Sequence, residues 1–501
     1  MTEEEMATAN KEGKRDQAKA AASEELSLID RIVREGKMAK DENQQTYAKD
    51  LLNEFARQVL DEGMVVDKGL NATIRDRIDQ IDQLIGDQLN EIIHQEKFQK
   101  LEASWKGLEY LVKNTETSSM LKLRVMNVSK KELLDDLEKA MEFDQSALFK
   151  KIYEHEYGTF GGTPYSVLIG DYYFGRHPMD LSLLERISHV ASAAHSPFLA
   201  AADARLFDMD TFLELGNPHD LSKIFESAEL AKWRTFRDSE DSRFVSLVLP
   251  HILLRQPYGP EGEPVDQLNF VENTNGKDHS KYLWGNAAYA LATRITNAFS
   301  KYKWCASIRG VEGGGLVDNL PVHNFITADG DKELKCPTEI PITDRREKEL
   351  NDLGFISLVH CKGTDQAAFF GGQTANKPRI YTTDEANENA QISSMLPYIL
   401  ASSRFAHYLK VIMRDKIGSF STREQIADYL NNWLSNYILL ADDAGPELKA
   451  EYPLREGRVD VSEIEGRIGA YQATVFLRPH FQLEELTTSI RLVAELPAPT
   501  G

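Results

Sequence analysis

The sequence predicts an α+β fold: an N-terminal helical segment, a mixed α/β middle domain and a C-terminal core domain ending in β-strands. Three observations predict it. Before residue 115, apolar residues recur at helical spacing. Between residues 165 and 300, short apolar runs of strand length alternate with longer helical patterns. After residue 470, the pattern turns to strand-like segments bounded by turn residues. In the 501-residue chain this gives residues 1–60 as a flexible tail with N-terminal helices. Residues 61–379 are the middle domain and 380–501 the C-terminal core domain, sizes in keeping with independent cores.

Residues 1–22 are polar and alanine-rich, with too little apolar surface to fold alone. A helix follows, with Ser23 as N-cap and Glu24 and Glu25 in its first turn. Leu26, Ile29, Ile32 and Val33 share one face, Leu28 flanks it, and Gly36 ends or weakens the helix. This amphipathic face either packs on its own domain, near Leu51–Leu60, or is offered to a groove on another protein. Next, Ile74, Ile78, Ile81, Ile85 and Ile92 alternate steps of four and three, as in a coiled-coil seam interrupted at Gln88. The run is too short for a long coiled coil and predicts helix-on-helix packing. Another helix is expected over FQKLEASWKGLEYLVKNT. In LKLRVMNVS, Leu121, Leu123 and Val125 alternate, which predicts a strand.

The middle region interleaves the two patterns. Ser166–Phe174 (SVLIGDYYF) reads as a buried strand. SLLERISHVASAAHSPFLAAA reads as a helix ending near a proline, then a short apolar strand. Phe244–Arg255 is strongly apolar, and Leu283–Phe299 is an alanine-rich helix suited to close packing. Further on, Leu396–Lys416 is a long helix. STREQIADYLNNWLSNYILL is another, with Ile426, Leu430, Trp433, Leu434 and Tyr437 on its apolar side. Ala470–Pro479 and Glu485–Leu496 read as two strands.

Acidic residues outnumber basic ones 79 to 58, and the net charge is −21. That balance argues against nucleic acid as the main partner. Three scattered cysteines suit neither a disulfide framework nor a zinc site, and read as reduced thiols. No run approaches the ~18 apolar residues of a membrane span. The polar N-terminus has no apolar signal core. The expectation is a cytoplasmic protein without membrane insertion.

The glycine-rich stretch IRGVEGGGLVDNLP, Ile308–Pro321, is a candidate for phosphate chemistry. A phosphate-binding P-loop needs a lysine and a hydroxyl after its last glycine, but Leu316 and Val317 follow Gly315. A dinucleotide fingerprint needs a helix after its glycines, and Asp318 and Pro321 start none. The glycines therefore read as a tight backbone passage where side chains would clash. No nucleophile elbow or zinc-protease motif is present. His155, between Glu154 and Glu156, is one lone imidazole, and His195 and His251 have no metal-ligand spacing. No catalytic, metal or cofactor-binding residue is identified, and no cofactor is expected. Two classes remain: an enzyme with an unrecognised active site, or a structural protein that works by assembly. The missing motifs, the N-terminal helix and the terminal strands favour assembly.

Several long blocks narrow this. They are FGGTPYSVLIGDYYF (Phe160–Phe174), KWCASIRGVEGGGLVDNLP (Lys303–Pro321) and TEIPITDRREKELNDLGFISL (Thr338–Leu358). They continue with LPYILASSRFAHYLKVIMRDKIGS (Leu396–Ser419) and VFLRPHFQLEELTTSIRLVAELP. Together, from about Asp50 to the end, they resemble the large subunit of the bacterial type VI secretion contractile sheath, the TssC/VipB family. The resemblance implies a multi-domain sheath-protein fold with no active site. It implies a heterodimer with a small sheath subunit (TssB/VipA type). Heterodimers would stack with other sheath heterodimers on a baseplate, around an inner tube of hexameric rings (Hcp type). Contraction would drive the tube into a target cell, and a Clp-type AAA+ ATPase would dismantle the spent sheath. On this reading Leu26, Leu28, Ile29, Ile32 and Val33 form the ATPase-recognition helix. Val475, Leu477, Ile490, Leu492, Ala494 and Leu496 lie on inter-subunit strands. The helix Thr422–Leu440 would face the inner tube, with Glu424 and Asp428, and Asp442 and Asp443 beyond it, as contact candidates.

Overall fold

A computed structural model describes residues 32–33, 36, 41–61, 70–217, 220–266, 268–327, 329–416, 422–441, 443–463, 471–480 and 490–495. The chain divides into two units, residues 1–84 and 85–501. In the first, helix α1 runs over Glu42–Asp61, and helix α2, Leu70–Ile93, begins. Val33 is buried and Ile32 half-buried, while Leu51, Ile78, Ile81 and Leu84 are exposed. Leu26, Leu28 and Ile29 lie outside the described residues.

The second unit is built on a six-stranded sheet. Its strands are β1 (Leu168–Phe174), β2 (Phe198–Ala202), β3 (Val245–Leu249), β4 (Leu316–Val317), β5 (Phe355–His360) and β6 (Ala367–Phe369). The spatial order is β1-β2-β3-β5-β6-β4. The first four in that order run parallel, and β6 is antiparallel to both β5 and β4. A parallel sheet is covered on both faces, so its strands are apolar throughout rather than alternating. FLAAA and VSLVL meet that condition and are buried at every position.

Side chains alternate between two cores. Phe198, Ala200, Val245, Leu247 and Leu249 enter one, with Leu184, Ile187, Phe207, Trp233 and Phe355. Leu199 and Val248 enter the other, with Ala288, Leu291 and Ile295. Two helices supply much of that cover. Pro178–Ala194 starts with proline in its first turn and ends at His195, which sits in the left-handed region at φ 50°. Ala288–Tyr302 is alanine-rich, which lets its backbone come close to the sheet.

In chain order, α2 is followed by α3 (Glu96–Lys113), α4 (Lys130–Lys139), then α5 and α6 for the two helices just described. Next come α7 (Leu396–Lys416) and α8 (Arg423–Ser435). A third core joins α7 and α8 to the terminal sheet, through Phe405, Leu409, Leu430, Leu434, Leu454, Val459, Val475 and Leu477. Trp304 stacks on Phe405 at 4.2 Å between ring centroids. Helix α7 serves two cores, since Leu396 and Leu400 belong with the sheet and Phe405 and Leu409 with the tail.

The terminal sheet is β7 (Leu454–Glu463), β8 (Tyr471–Pro479) and β9 (Ile490–Glu495), antiparallel with β8 in the centre. β8 and β9 match the two strands expected there, and β7 is additional.

Two expectations are corrected. Residues 121–129 are extended but form no strand, because no neighbouring strand of the described chain offers a ladder. The isoleucine seam of α2 is not packed on another helix among the described residues, for Ile78, Ile81, Ile85 and Ile92 are 42–52% exposed. The opposite face of α2 makes the contacts. Asn90 Oδ1 accepts from Asn273 N at 2.8 Å, and Gly86 lies against the Phe270 ring. No helix among the described residues is long and apolar enough to cross a membrane.

Candidate assembly surfaces

The glycine loop has a purely structural geometry. Gly310 and Gly314 adopt φ of 70° and 87°, where L side chains are strained. A Cβ on Gly314 would lie 2.4 Å from Ser307 O, and one on Gly315 2.6 Å from Phe369 O. Main-chain bonds close the passage, from Gly310 N to Phe369 O (2.7 Å) and from Gly315 N to Gly310 O (2.8 Å). The amides that a phosphate would need are spent on neighbouring backbone.

The usual ligand position of a parallel α/β sheet, beyond the carboxyl ends of its strands, is also occupied by internal pairing. A crevice after β1 and β2 is lined by Arg176, Asp180, Asp203 and Asp208. Arg176 bonds Asp208 at 2.6 Å, Lys130 pairs with Asp180 at 2.7 Å, and Asp203 caps Arg205 N at 2.9 Å. Among the described residues, no cluster of histidine, cysteine or carboxylate side chains has metal-binding geometry. His251 pairs with Glu339, and His155 is a helix residue without a metal partner. His195 is half-buried beside the buried His407, with ring centroids 6.4 Å apart. Desolvation drives the pKa of both rings down, His407 to about 3. These imidazoles are neutral core residues.

What the chain does present is uncovered apolar surface on helices. On α3, Ala103, Gly107 and Leu111 form the packed face. Gly107 is required there, since a Cβ would lie 2.4 Å from the Tyr289 ring. Arg255, itself buried, holds the same helix by donating to Glu102 and Glu272, both at 2.6 Å. The opposite face carries Leu101, Trp105 and Val112, at 58, 66 and 48% exposure, with Phe98 at 38%. Sequence reasoning missed this stripe. Its signal was present in the steps of three, four and seven from Phe98 to Val112.

The terminal sheet has edges at β7 and β9. Val475 and Leu477 sit on its central strand, with side chains buried in the third core at 1 and 0% exposure. Their side chains are therefore core of this chain. Ile490, Leu492 and Ala494 lie on β9, an edge strand, and Leu496 lies outside the described residues. β7 was missed because its alternation is diluted by Arg455, Glu456, Arg458 and Asp460.

Helix α8 begins with a capping box. Thr422 accepts from Gln425 N, and Gln425 returns a bond to Thr422 N at 3.0 Å. Leu430 and Leu434 are buried, and Ile426, Trp433 and Tyr437 pack partly against the same core. Glu424, Asp428 and Asp443 are exposed, and Asp442 lies outside the described residues. Glu424 pairs with its neighbour Arg423 at 2.9 Å, so its charge is partly met within the chain.

Comparison with known proteins gives this geometry a context. Residues 75–376 match the family model for the EvpB/VC_A0108 tail sheath N-terminal domain. Residues 385–496 match the EvpB/VC_A0108 tail sheath gpW/gp25-like domain. The type VI secretion system sheath protein TssC1 of Pseudomonas aeruginosa is 47% identical over 451 residues, covering 89% of this chain and 90% of that protein. Two solved structures are more distant, each 10% identical. One is the anti-feeding prophage baseplate (TM-score 0.32, covering 62% of this chain and 66% of that one). The other is the contracted anti-feeding prophage helical sheath (TM-score 0.28, covering 61% and 66%). The two domain matches in series and the near-full-length relative carry the assignment: the chain belongs to the TssC/VipB family of type VI secretion sheath proteins.

Proposed function

We propose that this chain is the large subunit of a contractile sheath, working as an obligate heterodimer with a small sheath subunit. Heterodimers polymerise around an inner tube and shorten to propel it. The observation that carries the pairing is the uncovered apolar surface of α2 and α3. Ile85, Ile92, Leu101 and Trp105 are each at least 42% exposed. Several large apolar side chains exposed on consecutive helices are a liability on a free protein and support an interaction face there. Its spacing suits a partner helix laid along it. Paired substitution Ile85→Asp with Trp105→Asp leaves the folded chain intact, since neither side chain is core, and abolishes co-purification with the small subunit. Retained co-purification would place the subunit contact elsewhere.

The finer assignments follow from the same reading. The free edge of β9 gives a place for a neighbour's strand. The exposed carboxylates Glu424, Asp428 and Asp443 support a polar contact to the inner tube, one that releases on contraction without exposing a large apolar patch. The helix carrying Leu26, Leu28, Ile29, Ile32 and Val33 is the segment offered to a Clp-type ATPase. The burial of Val33 suits a segment that is hidden in one lattice state and released in another. A side-chain-resolution structure of the extended assembly checks all three. It should show β9 paired with another chain, Glu424 and Asp428 toward the tube, and residues 26–33 covered.

A further inference from the structure

Residues 121–129 read as a strand in the sequence and lie extended in the structure, yet they have no ladder among the described residues. Ser118 tethers the start: its N–H donates to Leu121 O at 2.9 Å, and its hydroxyl accepts from Met120 N and Leu121 N at 3.2 and 3.1 Å. At the far end, Val128 O accepts from the Tyr172 hydroxyl at 2.7 Å. From Lys122 to Asn127, no main-chain group bonds to any described residue. Leu121 packs against the core that contains Leu291 and Ile295, and Leu123 against Leu111, Tyr289 and Ala292, while Val125 and Met126 are 71 and 48% exposed. The segment is thus held at both ends and on one face, with the backbone donors and acceptors of Lys122–Asn127 unused among the described residues. A row of unpaired N–H and C=O groups is a template for another strand.

Beside this segment lies a cavity of about 340 Å³, between residues 119–124, the approach to β1, and helices α6 and α7. Its walls are mostly apolar, including Ile169, Ile295 and Phe299. Lys122, Arg124 and Arg404 also line it, and no aspartate or glutamate does. That is notable in a chain carrying 79 acidic residues against 58 basic ones. Arg124 is paired with Glu156. Arg404 has no carboxylate partner among the described residues. Its two terminal nitrogens donate to Ser166 Oγ and Tyr408 Oη at 3.2 and 3.1 Å, and its buried Nε has no acceptor. His407, 1% exposed, lines the same cavity with Nδ1 unpartnered. A part-buried guanidinium without its anion is a strong site for a carboxylate, through charge-assisted bonds.

We propose that Lys122–Asn127 is one half of a β-ladder whose other half is an extended acidic segment of a different sheath polypeptide, with one carboxylate of that segment placed at Arg404. The inference rests on the assembly reading and specifies a second contact within it. Main-chain bonds would supply affinity, alternating apolar side chains would fill the slot, and Arg404 would set register. The free backbone requires a polypeptide, and the acid-free, cationic lining requires that it be acidic.

The test is hydrogen exchange on the full chain, free and in sheaths co-assembled with the small subunit. In the free chain the amides of Lys122–Asn127 exchange at near-unprotected rates. In the sheath they slow by roughly 100-fold or more, as for ladder amides. Val125→Pro removes one donor that the free chain does not use, so the melting temperature of the free chain is unchanged and sheath yield falls sharply. Arg404→Gln weakens the same protection and leaves Val125→Pro with no further effect. Intact sheaths with unprotected Lys122–Asn127 amides would overturn the proposal and leave the sheath reading standing. Failure of the wild-type chain to assemble at all would remove both. Protection appearing in the concentrated chain alone would assign the slot to a second copy. Binding of decanoate to the free chain, with the amides unprotected in sheaths, would assign the cavity to a small carboxylate. Either result would overturn the proposal.

Discussion

His407 is enclosed between the end of α5 and the middle of α7. Its Nε2 meets Ala194 O at 3.0 Å, and its ring lies beside His195 and Tyr157. The titratable and charged groups around it are His195, Lys410, Arg404, Tyr153 and Tyr157, none of them acidic. Burial holds His407 near 3 and pushes His195 well below its usual 6.5. In the unfolded chain both bind protons from about pH 6.5 downward. The unfolded state thus binds more protons, and stability falls as pH drops through that window, by about 1.4 kcal/mol per pH unit per histidine. Lys410 is held at about 8, so its window lies on the alkaline side, where stability rises with pH. Thermal melts from pH 7 to 5 should show a steep loss that His407→Gln, which keeps a donor for Ala194 O, makes shallower. Identical acid limbs would mean that the ring titrates elsewhere. None of this was legible in the sequence, since His195 and His407 are 212 positions apart. The glycine loop was legible, because Leu316 and Val317 already ruled out a phosphate cradle.

At the scale of elements, the helices and strands with strong periodicity were readable, and what they face was not. The apolar sides of α8 and the buried runs of β2 and β3 declared themselves through spacing and length. The isoleucine steps of α2 announced a helix, but spacing alone does not say what covers the seam, which is exposed among the described residues. The strand at Leu121–Ser129 failed for a related reason: alternation sets the side chains, while a ladder needs a neighbour. In the tail, β7 escaped notice because charged residues fill its outer face. Gly457 on β7 lets Leu434 approach, since a Cβ there would lie 2.8 Å from Leu434 Cδ2. Removing residues 485–501 takes away β9 and leaves the central strand β8 as an edge. The third core keeps α7, α8, β7 and β8, so the truncated chain should still bind the small subunit. Electron microscopy should show no long sheaths. Normal sheaths from the truncated chain would remove β9 from the lattice.

At the scale of the whole molecule, the second unit combines internal rigidity with surface left unfinished. Three packed cores, two of them joined through α7, hold it together. The places where chemistry would be expected, the glycine loop and the strand ends, are closed by their own hydrogen bonds and ion pairs. The unused capacity lies at the surface, in the seams of α2 and α3, the edge of β9 and the bare backbone of Lys122–Asn127. That distribution agrees with membership of a sheath-protein family. The most direct measurement is cryo-electron microscopy of the chain co-expressed with a small sheath subunit of the TssB/VipA type. The account predicts long helical tubes containing both polypeptides in equal number. Discrete monomers or small closed particles, with no polymer under any condition that keeps both chains folded, would contradict it.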